Sequence, residues 1–372
     1  MKVGAVPADP EDPEYPEDPE NPENPRQSRL ASQTGFLYNL PREADGDRRA
    51  QEERADGQSQ MKTRIGLAAA AAAALAAFPA EAGMFKAKGF EPAVYYTGER
   101  PIERGDAVAD LGILYIHGWG GGADDRTALC RRLAKNVAKR GAKPVVFAPM
   151  FPIRRYIREK KIPDDGRAVW CGFWEVGEEG SAANDWRGGG DAYGTNMSSF
   201  DVVDRMVATL CDARLFPAMK RIVVVGFSAG GQVAARHAAV GKCPSRAGVA
   251  VEYASIAPAF YLKLDEGEPW HYGLKGIPRY AAGMGKKEIL ANLSARRVWF
   301  GCGTKDDART NGRNRLSAKQ GVSRYTRHRM FAEYVKGFPA WAAKTLFRDI
   351  PGVAHTGKVW DDPPLLDFIA GR

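Results

Sequence analysis

The segment RIVVVGFSAGGQVAARHA constrains this chain more than any other. Residues 221–226 have strand length and, after Arg221, are an unbroken apolar run, and 229–241 have the composition of a helix. Between them, Gly226-Phe227-Ser228-Ala229-Gly230 forms a G-x-S-x-G pattern. The five-residue pattern alone recurs by chance, and the flanking strand and helix make it specific. A sharp strand-to-helix turn forces its central serine into a strained backbone and projects the hydroxyl, while glycines on either side relieve crowding. The helix start adds free N–H groups and a positive dipole end. Ser228 is therefore the candidate nucleophile.

A serine that accepts an acyl group generates an oxyanion, which needs fixed donors. ILYIHGWGGGADD supplies a glycine-rich loop just after another strand, with His117-Gly118-Trp119-Gly120-Gly121-Gly122. The expected donors are the N–H of Ala229 and that of Trp119, with Gly120 as the alternative. The same loop imitates a dinucleotide fingerprint at Gly118, Gly120 and Ala123. That reading needs an acidic residue at the end of the second strand, where this chain has Phe147-Ala148-Pro149.

Serine also needs a base, and the base a carboxylate to orient it. Five histidines are available. His117 belongs to the oxyanion loop, His237 lies too far along the nucleophile helix, His271 falls in an irregular segment, and His328 sits on a polar helix. His355, in DIPGVAHTG after the last strand, is placed to reach a site at the sheet edge. For the carboxylate, RVWFGCGTKDDAR ends a strand and offers Asp306 and Asp307 past a glycine turn, with Asp306 preferred.

Around these motifs, strand-length runs at 111–116, 144–149, 221–226, 249–256, 297–301 and 345–350 alternate with helical stretches near 125–140, 199–213, 229–241, 318–336 and 362–370. Several strands lack polar alternation, as expected when helices cover both faces. The pattern predicts an α/β fold built on a doubly wound, mostly parallel sheet. Residues 151–197 and 259–293 break the rhythm and are expected to be lid or binding-loop insertions. Their tryptophans, Trp170, Trp174, Trp186 and Trp270, are candidate substrate-lining residues, with packing in the core as the alternative for each.

From about Leu111 to Arg372 the chain resembles the α/β-hydrolase superfamily. HGWGGG, GFSAGG, GTKDD and GVAHTG match its oxyanion loop, nucleophile elbow, acid turn and histidine loop, in that order. IAPAFYL, LSAKQGVSRYTRHRMFAEY and the surroundings of WRGGGDAYG resemble a group of bacterial predicted hydrolases. The resemblance implies a serine hydrolase of ester or, second, amide bonds, with Ser228, Asp306 and His355 as its triad and no metal or organic cofactor. The 151–197 insertion is longer than the family's usual link. An acyltransferase on the same triad, or a non-catalytic binding protein with the same fold, are the alternatives. In this fold Cys211 and Cys243 end helices on the face opposite the active site, which implies a Cys211–Cys243 disulfide. Cys302, beside the acid turn, is expected to be a buried structural residue.

The N-terminal portion differs from the rest. Residues 1–60 begin with ADPEDPEYPEDPENPENP-type sequence whose prolines forbid helix and interior strand, so disorder is expected. From Met61, MKTRIGLAAAAAAALAAFPAEAG has the basic start, short apolar run and Ala-x-Ala site of a secretory signal peptide spanning 61–82. Translation is accordingly expected to start at Met61, and the mature chain to run from Gly83 as a secreted or periplasmic protein. Its apolar run is too weak for a membrane span. Without residues 1–82 the chain keeps 45 basic and 30 acidic side chains, near +15. That charge is dispersed and lacks a recognition motif, so no nucleic-acid partner is expected; the expected partner is a small-molecule or polymer ester.

Overall fold

The computed structural model describes residues 82–85, 93–97, 101–118, 126–162, 166–172, 185–307 and 315–372. All belong to one compact unit, Gln60–Arg372. The expected extension at 1–60, the leader up to Glu81, Trp119, Gly120 and Trp174 lie outside the described residues.

Among the described residues, eight strands form one sheet: β1 (Ala82–Phe85), β2 (Ala93–Thr97), β3 (Leu111–Ile116), β4 (Pro144–Pro149), β5 (Arg221–Phe227), β6 (Ala250–Ile256), β7 (Val298–Gly303) and β8 (Thr345–Ile350). Their order is β1-β2-β4-β3-β5-β6-β7-β8. From β4 to β8 every neighbouring pair is parallel, while β2 runs antiparallel to both β1 and β4. Parallel neighbours require crossovers, and the helices supply them: α1 (Arg126–Ala138), α2 (Arg154–Glu159), α3 (Ser199–Leu210), α4 (Ala229–Val240), α5 (Lys286–Ala295), α6 (Arg315–Lys319), α7 (Arg324–Lys336), α8 (Pro339–Ala342) and α9 (Pro363–Ala370).

The apolar strands explain themselves by where their side chains go. Along β5, Ile222 and Val224 enter a core shared with α3 and α4, whereas Val223 and Val225 enter a second core with α1 and α9. Both faces are covered, so alternation between apolar and polar residues is absent and β3 is buried along its whole length. Each buried Val or Ile contributes roughly 1.5–3 kcal/mol relative to exposure, which fixes the register of the central strands. The active-site loops all leave the carboxyl ends of β3, β5, β7 and β8 as a result.

The structure departs from the sequence expectation in three places. The helix expected over 318–336 is two, α6 and α7, because Gly321 adopts φ +134° and the Ser323 side chain accepts from Thr326 N–H to cap a new start. Helix α5 begins inside the expected 259–293 insertion; it is polar, burying only Ile289 and Leu293, and carries no strong apolar period. Cys211 and Cys243 are both free: the Cys211 thiol faces the Pro244 carbonyl at 3.6 Å and the Cys243 sulfur lies 2.7 Å from the Tyr253 hydroxyl. Each sulfur is engaged elsewhere, which corrects the expected disulfide. Cys302 is buried, as expected. Among the described residues no helix is long and apolar enough to cross a membrane.

Candidate active site

Ser228 stands between β5 and α4 at φ +57°, ψ −114°. A non-glycine residue in such a region costs about 1–3 kcal/mol and persists only where its surroundings hold it. They do so here through backbone: Ser228 N–H donates to the Ile256 carbonyl at 2.8 Å, and Gln232 N–H donates to the Ser228 carbonyl at 3.1 Å. The turn also needs its glycines. A Cβ on Gly226 would strike the Gly230 backbone, and one on Gly230 would strike the Ile116 carbonyl. The motif's spacing is thus a packing requirement between β3, β5 and α4.

His355 comes to Ser228 from the loop after β8. Its Nε2 lies 3.0 Å from Ser228 Oγ and its Nδ1 lies 2.6 Å from Asp306 Oδ2. A carboxylate only accepts, so Nδ1 carries the proton and Nε2 presents its lone pair to the serine hydroxyl. The His355 side chain is 27% exposed and Asp306 only 2%. Asp307 is exposed. Of the adjacent pair, Asp306 is the one whose carboxylate meets His355.

Three supports were not visible in the sequence. Phe227 stacks on the His355 ring at 4.5 Å between centroids and 29° between planes, fixing its tilt. Arg324, at the start of α7, places Nη1 3.6 Å from Asp306 Oδ1. The acid turn and the histidine loop are also laced together: Thr304 N–H donates to Ile350 O, Lys305 N–H to Val353 O, and Gly352 N–H to Thr304 Oγ1. Nothing in local composition distinguishes these residues, since each matters through a partner tens of positions away.

Of the expected oxyanion donors, Ala229 is the first residue of α4, where an N–H has no helical acceptor. Trp119 and Gly120 lie outside the described residues. The loop that leads to them is anchored by His117, whose Nδ1 lies 2.8 Å from Gly118 O, while its Nε2 accepts from Phe151 N–H at 3.0 Å. Both ring nitrogens are used, so His117 is a neutral structural strut that ties the β3 exit to the β4 exit.

Three of the four candidate tryptophans are described. Trp170, Trp186 and Trp270 are all buried, at 0–2% exposure. Trp186 stacks on Phe151 and lies against His117, Trp170 meets Phe151 edge-on, and Trp270 Nε1 donates to Gly188 O at 2.8 Å. These contacts join the two insertions to each other and to His117. Arg236, buried on α4, joins the same regions by donating to the carbonyls of Arg187 and His271 and to Gln232 Oε1. Burial first, and then nearby Arg187, lower its guanidinium to about 9.

His237 and His328 are buried in separate networks, and His271 is buried beneath Phe260. Among the described residues one group has donors close enough to hold a metal ion, namely Asp204, His237 and Cys243 within 4.8 Å of one another. It lies beyond the carboxyl-terminal end of α4, away from Ser228.

An elbow serine on a parallel sheet, with a histidine and a buried carboxylate delivered by later strands, defines the α/β-hydrolase fold class. Among the solved structures similar to this chain, two illustrate that fold. The LpqC poly(3-hydroxybutyrate) depolymerase from Bordetella parapertussis matches with a TM-score of 0.53 and 19% identity over 76% of this chain and 85% of its own. Poly(aspartic acid) hydrolase-1 from Sphingomonas sp. KT-1 matches with a TM-score of 0.53 and 18% identity, over 77% of this chain and 98% of its own. No protein-family model matches the sequence, and no curated protein does.

Proposed function

We propose that the protein is a serine hydrolase that cleaves carboxylic esters, and secondarily amides, through an acyl-enzyme on Ser228. The observation that carries this reading is the relay from Ser228 Oγ to His355 Nε2 at 3.0 Å and from Nδ1 to Asp306 Oδ2 at 2.6 Å. In the acylation step Nε2 removes the serine proton as Oγ attacks the carbonyl carbon. Asp306 stabilises the imidazolium that results, and the same proton then passes to the leaving alkoxide. Water, deprotonated by His355, returns the acyl group in the second half-reaction.

Oxyanion stabilisation falls to Ala229 N–H and the loop after Gly118. Within that loop the Trp119 N–H is the proposed second donor, with the Gly120 N–H as the alternative. Esters rank first because they need less leaving-group assistance than amides. The names of the two proteins that share the fold, a polyester depolymerase and a poly(amino acid) hydrolase, are compatible with both bonds and with a polymeric substrate.

The test is hydrolysis of a series of p-nitrophenyl esters by the wild type and four variants. Ser228→Ala and His355→Ala are expected to lower kcat about a millionfold, and Asp306→Asn about ten-thousandfold, the magnitudes such relays show elsewhere. Asp307→Asn is expected to leave the rate unchanged. Equal loss in both aspartate variants contradicts the assignment of Asp306. If added alcohols divert most of the product to new esters, the acyltransferase reading takes precedence.

A further inference from the structure

The far end of the nucleophile helix carries a second arrangement of nucleophile, imidazole and carboxylate. Helix α4 is 12 residues long, so its carboxyl end lies about 18 Å from Ser228. There His237 Nε2 lies 3.0 Å from Asp204 Oδ1, and Nδ1 lies 3.2 Å from the Tyr253 hydroxyl. That hydroxyl is 2.7 Å from Cys243 Sγ. The backbone holds the set together, because Cys243 N–H also donates to Asp204 Oδ1 at 3.0 Å, with the Cys243 φ at +44°. Tyr280 donates its hydroxyl proton to Asp204 Oδ2 and accepts from Lys242 N–H. His237 is wholly buried, and Cys243 is the less buried of the two.

We propose that Cys243, backed by His237 and Asp204, is a reactive thiol that takes electrophilic and peroxide modification independently of the serine site. Asp204 and Tyr253 lie at opposite nitrogens of the His237 ring, which is the layout of a relay rather than of a single coordination sphere. The charged and titratable groups facing the thiol come from every element packed on it. They are Asp204 on α3, Cys211 at the end of α3, His237 on α4, Tyr253 on β6, Tyr280 on the turn before α5, Arg296 at the end of α5, and the adjacent Lys242, whose ammonium sits over the Tyr280 ring. Burial raises the Cys243 thiol, but the His237 charge and hydrogen bond, together with Arg296, outweigh it and lower the group. His237 rises correspondingly to about 9: its burial acts against this, and Cys243 and Asp204 override it. Burial instead pushes the thiols of Cys211 and Cys302 up. The chain thus contains its own unreactive comparison thiols.

With a peroxide as oxidant, the Cys243 thiolate attacks one peroxide oxygen and forms the S–O bond as the O–O bond breaks. The leaving oxygen takes a proton from the Tyr253 hydroxyl, which imidazolium His237 replaces through Nδ1, and departs as water or alcohol. Sulfur is oxidised by two electrons to the sulfenic acid, and the peroxide is reduced by two. The ion pair thus supplies both the nucleophile and the acid for the leaving group.

The experiment uses fully reduced, full-length protein and limiting iodoacetamide near neutral pH, followed by peptide mass mapping of all five cysteines. A parallel sample receives hydrogen peroxide and dimedone. Cys243 is expected to alkylate about tenfold faster than any other cysteine and to be the principal dimedone adduct. His237→Gln is expected to slow both reactions about tenfold and to move the midpoint of the alkylation–pH profile upward, with ester hydrolysis retained. Should that variant fail to fold, the ranking of the five cysteines in the wild type still decides. Even labelling across the cysteines, labelling centred on another cysteine, or zinc held stoichiometrically by Asp204, His237 and Cys243 would each overturn the proposal.

Discussion

Ser228 and His355 show how little the chemistry of a residue depends on its type and how much on what surrounds it. The strained serine is held by the Ile256 carbonyl, and the histidine by Phe227 on one face and Asp306 at one nitrogen. His328 is the same residue type with the opposite environment. It is buried, with the Tyr261 hydroxyl 3.2 Å from Nδ1 and Asp349 3.5 Å from Nε2. Burial, with some help from Arg329 and against Asp349, lowers it to about 4 from an ordinary value of 6.5. The unfolded chain therefore binds this proton first as pH falls below 6.5. The resulting stability is fully present above 6.5 and is lost on descending through 4, by at most about 3 kcal/mol. Urea unfolding across that interval should show His328→Gln with a shallower acid limb than the wild type. Parallel limbs would contradict a buried, neutral His328.

At the scale of elements, local signals announced what local physics decides. Strands β3, β4 and β8 match their expected spans because an apolar run covered on both faces leaves no other use for itself. The meeting of Ser228, Asp306 and His355 was legible because each follows a strand end with its own glycine or turn signature. What was not legible depends on distant partners: the edge pair β1 and β2, polar helix α5, the break between α6 and α7, and the Phe227 and Arg324 supports. The insertion at 151–197 returns to the body through such partners, and the start of α3 is one of them. Ser198 accepts from Phe200 N–H and donates to Gly189 O, while Asp201 accepts from Ser198 N–H, completing a capping box. Ser198→Ala is expected to cost about 1 kcal/mol from the cap, and it also removes the hydrogen bond that the serine hydroxyl donates to the Gly189 carbonyl. An unchanged denaturation midpoint would show that the box is dispensable.

For the molecule as a whole, a doubly covered sheet gathers four loops at one edge and builds the relay from residues 228, 306 and 355. Trp170, Trp186 and Trp270 are buried, the alternative the sequence left open, because a ring's composition is the same in a lid and in a core. Strand β1 bears on export: Ala82, the last residue of the expected leader, and Gly83 open it. If the leader is cut where its small-residue site implies, exported protein will begin at Gly83, as read by N-terminal sequencing, and a mature chain beginning near Met1 would contradict it.

The central claim is that Ser228 is an activated nucleophile, and a fluorophosphonate probe tests it most directly. The wild type should gain one adduct, located at Ser228 by peptide mass; Ser228→Ala should gain none, and His355→Ala should label far more slowly. Folded wild-type protein that stays unlabelled, or labels equally well without Ser228, would contradict the account.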